Sequence, residues 1–331
     1  PLRRDPVSWN IITTHLKKLG ISMTPETAKM ADIPKGAKRI DLRRPRAGYY
    51  IGDAEKPLFC LPGVPDEMAD MLAGFVIPNL RELFPKQEAA RSRQLRVYGL
   101  RESEIAHRLA GLRAKYPSVR VGYYPHFPEN HLTLTVQASS AAAADTILEE
   151  AAQTVLDLLG LNVYGEGDNS LPVVVGHLLL EKGQTLALAE SCTGGLIAHL
   201  ITNVPGSSAY FDRSLVTYSD AAKIRYLFVP PDLISRHGTA SAQVAEAMVR
   251  GLHRESKASV VVAVTGVAGP SGGSPDNPVG TVFMALLRDK DLRVERFLFR
   301  GKRQEIKLAA AHTALDWLRR AMIDDSFFSG G

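Results

Sequence analysis

Cysteine is scarce. Only Cys60 and Cys192 occur among 331 residues. They lie far apart in unlike settings, which excludes a disulfide framework and points to a reducing compartment. No run of about 18 apolar residues is present, so no membrane-spanning helix is expected. Pro1-Leu2-Arg3-Arg4 opens the chain with no apolar signal-peptide core behind it, and the expected location is the cytoplasm. There is no initiator Met, so the chain reads as trimmed or as a fragment of something longer. Basic residues are not concentrated either. The net charge of +5 is spread among interleaved acids, as on a solvated surface, so neither nucleic acid nor membrane is an expected partner. Such a surface is compatible with a modest bias toward small anions. A P-loop with its Lys is missing, which removes nucleoside triphosphate hydrolysis. Asp66 and Glu67 gather too few acidic neighbours for a metal site.

Apolar residues make up 45% of the chain and charged residues 23%, values of a globular protein. The length exceeds one ordinary core, so two or three domains are expected. In residues 1–88, Trp9, Ile12, Leu16 and Leu19 keep helical spacing up to Gly20, Pro34, Gly36 and Pro45 break the chain into loops, and Pro57 to Leu61 reads as a buried strand. A Gly/Pro turn and a helix from about Asp66 follow it. That is too little sheet for an independent α/β domain. Residues 89–168 read as β-α-β-β-α. The strands lie around Leu95–Gly99, Val119–Tyr123 and Leu132–Val136, with a helix over Glu102–Leu112. The Ser139–Leu159 helix is capped by Ser139 or Ser140, and Gly165–Ser170 is a linker. Residues 169–325 carry the richest pattern. Strands are expected at Thr185–Ala189, Leu215–Thr217, Val260–Val264 and Gly280–Leu287. Helices are expected at Pro172–Lys182, Leu196–Thr202, Ala240–Arg254 and Gln304–Met322. The fold class is therefore α/β, with a small α+β module in the middle.

Four stretches could carry chemistry. Glu190-Ser191-Cys192-Thr193-Gly194-Gly195 joins a buried strand to a helix N-terminus. There Ser191 could be a nucleophile beside backbone N–H groups that hold an oxyanion. The alternative is that Ser191 or Thr193 simply caps the helix, a far commoner use of such residues. No His stands in a partner motif. His199 and His312 fall on helix faces, and His237 precedes Gly238. A buried Lys with a lowered pKa is the other possible base, and Lys223 is the candidate, although a lone Lys is more often a surface residue. Thr265 to Gly273 is a glycine-rich loop at the end of a buried strand, where ligands of open α/β sheets gather. It could cradle a phosphate or be a loose connection. Arg300-Gly301-Lys302-Arg303 could anchor a phosphate or be a solvated basic loop.

The order of these stretches resembles one family. It runs through Ala189–Gly195, Val204-Pro205-Gly206-Ser207-Ser208-Ala209-Tyr210-Phe211, Thr217–Lys223, Val264–Pro270 with Gly272-Gly273, and Val279-Gly280-Thr281-Val282. Together they are similar to the CinA C-terminal domain, the nicotinamide mononucleotide deamidase family. Upstream, Ser22–Thr24 with Lys35–Ala37 and Phe59–Met68 resemble the end of a MoaB/MogA-like domain. Val97–Ser103 and the module after it resemble the CinA middle domain, which is KH-like but shows no Gly-X-X-Gly loop for RNA.

The resemblance implies a three-layer α/β deamidase domain. In it Ser191 attacks the carboxamide of nicotinamide mononucleotide and Lys223 carries the proton, with Tyr218 orienting Lys223 or relaying the proton. Thr193, Gly194 and Gly195 hold the oxyanion, Thr265 and Gly266 position the substrate, and Arg303 anchors its phosphate. It also implies self-association, as a dimer, and no cofactor for the deamidase. A divalent metal would be needed only by a complete N-terminal domain. Two rivals are an ADP-ribose pyrophosphatase and a non-enzymatic competence or DNA-damage interaction protein. The first lacks the glycine-rich nucleotide loop of the family's first half, and Arg44-Pro45-Arg46-Ala47-Gly48-Tyr49 stands where the family has Asn and Gly-Thr-Ala-Pro-Gly. The second lacks a concentrated docking surface.

Overall fold

The computed structural model describes residues 1–40, 48–53, 55–85 and 89–329. The departure at Arg44–Ala47, with Pro45 in it, lies outside the described residues. The chain forms two compact units, residues 1–88 and 89–331.

In the first unit the expected helix is present as Pro6–Leu19. The Asp5 carboxylate caps it by accepting the Ser8 amide at 2.7 Å, and Gly20 ends it in the left-handed region at φ 68°. The run Pro57–Leu61 differs from expectation. Leu58–Cys60 is the outer strand of a three-stranded antiparallel sheet with Lys38–Arg39 and Tyr49–Ile51, and Leu58 is 59% exposed. A short apolar run fixes a strand without fixing whether it is central or marginal.

The second unit holds two sheets. The first is antiparallel, in the order Val119–His126, Glu129–Ala138, Ala89–Val97, Val163–Glu166. Its inward residues Leu95, Val97, Leu132, Leu134 and Val136 pack under Ala144, Leu148, Ala151, Ala152 and Val155 of the Ala141–Leu159 helix. The Ser140 hydroxyl caps that helix. Two expectations are corrected here. The helix expected over Glu102–Leu112 stops at Arg108, and a separate turn of helix covers Leu112–Lys115. Gly165 and Glu166, read as linker, belong to a strand paired with Leu95 and Arg96. Four residues with one apolar neighbour give too little alternation to register as a strand.

The second sheet runs Phe211–Val216, Leu186–Glu190, Val260–Gly266, Thr281–Arg288, Asp291–Leu298. The first three strands are parallel and the last two pairings antiparallel. Successive side chains point to opposite faces of a strand, and here the two sets enter different cores. Leu186, Leu188, Val260, Val262 and Val264 meet the helices Leu171–Glu181, Leu196–Thr202 and Arg303–Ile323. Ala187, Ala189, Val261 and Ala263 meet Ala242–Ser256. The result is a three-layer α/β domain beside an α+β module. Three elements escape the sequence pattern. Asp291–Leu298 is an edge strand broken by Arg293, Glu295 and Arg296. The helices Asp220–Leu227 and Pro231–His237 are each two turns long. Among the described residues no helix is long and apolar enough to cross a membrane.

Candidate functional site

Because three strands are parallel, their C-terminal ends reach one edge of the sheet, where ligands of open α/β sheets gather. Glu190, Val216 and Gly266 end there. Ser191 follows Glu190 directly. Its amide donates to the Val264 carbonyl at 2.9 Å, carrying the ladder one residue past the strand. The chain then turns sharply, with Gly194 donating to the Ser191 carbonyl at 3.0 Å. Gly194 and Gly195 stand at φ 64° and 91°, a conformation that disfavours any side chain. Ser191 is only 6% exposed.

Lys223 arrives from the neighbouring strand. After Val216 the chain leaves the sheet, and Ser219 caps the Asp220–Leu227 helix through the Ala222 amide. That places Lys223 in the helix's first turn, wholly buried. Its Nζ lies 3.0 Å from Ser191 Oγ and 2.8 Å from the Thr217 carbonyl. A carbonyl only accepts, so one amine hydrogen points at Thr217, and the single contact with Ser191 Oγ is made by a second hydrogen or, in the neutral amine, by the lone pair. Burial pushes the Lys223 pKa down from the ordinary 10.5, opposed by the negative charge of Asp220 and more weakly by the Cys192 thiol. A desolvated amine with a lowered pKa is a proton acceptor.

The other expected residues fall into two groups. Thr193, Gly194 and Gly195 share the turn with Ser191, but two of their amides are not open donors. Gly194 is committed to Ser191. The amides of Gly195, Ile197 and Ala198 donate to the buried Glu190 carboxylate at 3.0, 3.1 and 2.9 Å. The helix N-terminus is thus filled by an anion from the chain itself, and the Gly194 and Gly195 amides are engaged within the turn. The Thr193 hydroxyl, in contrast, is buried without a hydrogen-bond partner. Tyr218 does not touch the Lys223 amine. It is 58% exposed and accepts a hydrogen bond from Arg303 at 2.6 Å, so the Thr217 carbonyl does the orienting expected of it. Arg303 also donates to the Gly269 carbonyl at 2.5 Å, tying the glycine-rich loop to the last helix. Thr265 spends its hydroxyl on the Thr239 carbonyl at 2.9 Å. A Cβ on Gly266 would stand 2.5 Å from the Thr281 carbonyl oxygen, so that glycine is required by strand packing.

Sequence reasoning missed Glu190 and Thr217. A carboxylate just before a helix N-terminus is a legible cap signal. A backbone carbonyl that orients an amine leaves no trace in residue type. Cys192 is not a rival nucleophile, since burial pushes its thiol up to about 12, leaving almost no thiolate at neutral pH. Among the described residues no group of three or more His, Cys, Asp or Glu is placed to hold a metal.

Fold and site define an α/β protein with a buried Ser–Lys pair at the ligand edge of its sheet. Residues 168–322 match the CinA C-terminal domain, and residues 92–165 the damage-inducible protein CinA KH domain. A CinA-like protein of Syntrophobacter fumaroxidans is 41% identical over 327 residues, which are 98% of this chain and 77% of that one. A CinA-like protein of Geobacter sulfurreducens is 44% identical over 83% of this chain and 67% of its own. The crystal structure of the competence/damage-inducible protein CihA from Agrobacterium tumefaciens is 39% identical. It covers 46% of this chain and 94% of its own, with a TM-score of 0.45. The chain belongs to the CinA family.

Proposed function

We propose that the chain is an amidohydrolase that converts nicotinamide mononucleotide and water to nicotinic acid mononucleotide and ammonia. The observation that carries the reaction class is the 3.0 Å approach of a buried Lys223 amine to Ser191 Oγ. The substrate comes from the family likeness of residues 189–303. Lys223 takes the Ser191 proton as Oγ attacks the carboxamide carbon. The tetrahedral intermediate collapses, Lys223 gives that proton to the leaving nitrogen, and ammonia departs. An ester of Ser191 is left. Water then attacks the ester, Lys223 accepts its proton and returns it to Oγ, and the free acid is released.

The oxyanion needs donors aimed at it. The hydroxyl of Thr193 is buried and unpartnered. A buried polar group without a partner is costly and calls for a reason. We assign it to the developing oxyanion. Tyr218 and Arg303 then close the far side of the site, with Arg303 on the phosphate.

The reading is tested by ammonia release from nicotinamide mononucleotide. The parent turns over, and Ser191→Ala falls by about three or more orders of magnitude, as for other serine hydrolases that lose the nucleophile. A folded parent that releases no ammonia would sink it.

A further inference from the structure

The Arg303–Ile323 helix carries two cations on one face of its first two turns. Arg303 and Lys307 are four residues apart and lie one above the other. Arg303 is bonded to neutral acceptors, the Gly269 carbonyl and the Tyr218 hydroxyl. Lys307 is half-buried and its ammonium hangs over the Ser191 turn. Its Nζ is 3.4 Å from the point where a Cβ on Gly194 would stand. Among the described residues no carboxylate pairs with either cation.

The carboxylates of the same elements are committed elsewhere. Glu305 accepts the Lys302 amide at 2.6 Å, and Glu190 accepts three amides of the Ser191 turn and its helix. Several buried or half-buried arginines of this unit are matched by acids, whereas Arg303 is exposed and Lys307 half-buried. Arg319 and Arg320 share Asp316, and Arg93 holds Glu149 and Glu166. Like charges at this helical spacing repel, and the positive end of the helix adds to them. An anion set between the two would relieve both.

We infer that Lys307 and Arg303 form a two-cation subsite for a phosphate monoester beside the Ser191 turn, with Lys307 selecting phosphorylated substrates. Two unpaired cations match the two charges of a monoester better than the single charge of a diester, so a mononucleotide fits better than a dinucleotide. The absent side chain at Gly194 keeps the ammonium in contact with this space. The nucleotide's identity rests on the deamidase reading; the anion site does not.

The experiment compares the parent with Lys307→Met and Lys307→Arg in two assays. The first is the ratio of kcat/KM for nicotinamide mononucleotide to that for nicotinamide riboside. The second is binding of inorganic phosphate followed by 31P NMR. Lys307→Met is expected to lower the ratio roughly 10- to 100-fold, the range of one charge-assisted hydrogen bond, and to weaken phosphate binding. Lys307→Arg is expected to restore both. Unchanged phosphate binding in Lys307→Met, or an equal loss on both substrates, would overturn the subsite. Absence of ammonia release from either substrate by the parent would count against the deamidase reading alone, and the phosphate titration would then decide the subsite.

Discussion

A lysine that is wholly buried gives up hydration of its charge, and that cost is what fits Lys223 for the proposed role of base. Its folded pKa is pushed below the ordinary 10.5, so at any pH more of it is neutral than of a surface lysine. The sign follows. In the proposed mechanism the base works unprotonated, so kcat/KM is expected to rise with pH through the lowered pKa and to level off below the ordinary lysine range. The negative charge of Asp220 raises that pKa, and Asp220→Asn should therefore shift the rising limb toward acid in a pH–rate profile. A shift toward alkali would contradict the electrostatic account. Stability carries the same signature. Between the folded and unfolded pKa values the unfolded chain binds more protons, so the Lys223 contribution rises with pH there. At Thr193 the unpartnered hydroxyl separates catalysis from folding. Thr193→Val keeps the shape and removes a polar atom that bonds nothing. The expected outcome is a kcat lower by about 10- to 1,000-fold with an unchanged or raised urea midpoint. A variant that is less stable yet fully active would remove the hydroxyl from the oxyanion.

At the scale of elements, the turn after Glu190 is held by an internal cap. The carboxylate accepts three amides and lies 3.2 Å from the Ser214 hydroxyl. Glu190→Ala leaves one buried and two part-buried amides without this partner, and should cost about 3 kcal/mol or more in urea denaturation. A second constraint holds the Lys223 helix from behind. A Cβ on Gly251 would stand 1.8 Å from the Leu227 carbonyl oxygen, where that helix ends. Gly251→Ala should therefore destabilise by about 1–3 kcal/mol and lower kcat, because the helix that positions Lys223 must move. Equal activity in a folded variant would show the helix to be freer than its packing indicates. Much of this architecture is legible in the chain. Val260–Val264 announces a buried central strand, and Ser140 and Gly20 mark helix ends. The edge strand Asp291–Leu298 is not legible, because charges on a half-exposed strand erase the alternation. The Ser191 and Lys223 pairing is legible as residue types only. Which amides stay free depends on Glu190, whose type signals a cap but not which three amides it takes, and what orients the amine is the Thr217 main chain, which no residue type encodes.

At the scale of the whole molecule, the KH-like module and the three-layer domain belong to one compact unit. Tyr98 of the former is buried against the latter. Its hydroxyl lies 2.7 Å from the Thr313 hydroxyl and 3.2 Å from the Ala309 carbonyl, both on the helix that begins at Arg303. The KH-like module thus braces the helix that begins at Arg303. Tyr98→Phe should cost about 1 kcal/mol while leaving turnover near the parent value. A large loss of kcat would mean that the brace also sets the site. The claim on which the account turns is that Ser191 is acylated through Lys223. Its most direct measurement is trapping with hydroxylamine during turnover of nicotinamide mononucleotide. The account predicts the hydroxamate of nicotinic acid mononucleotide from the parent and none from Ser191→Ala or Lys223→Met. Ammonia release without hydroxamate, or with Ser191→Ala still active, would contradict it.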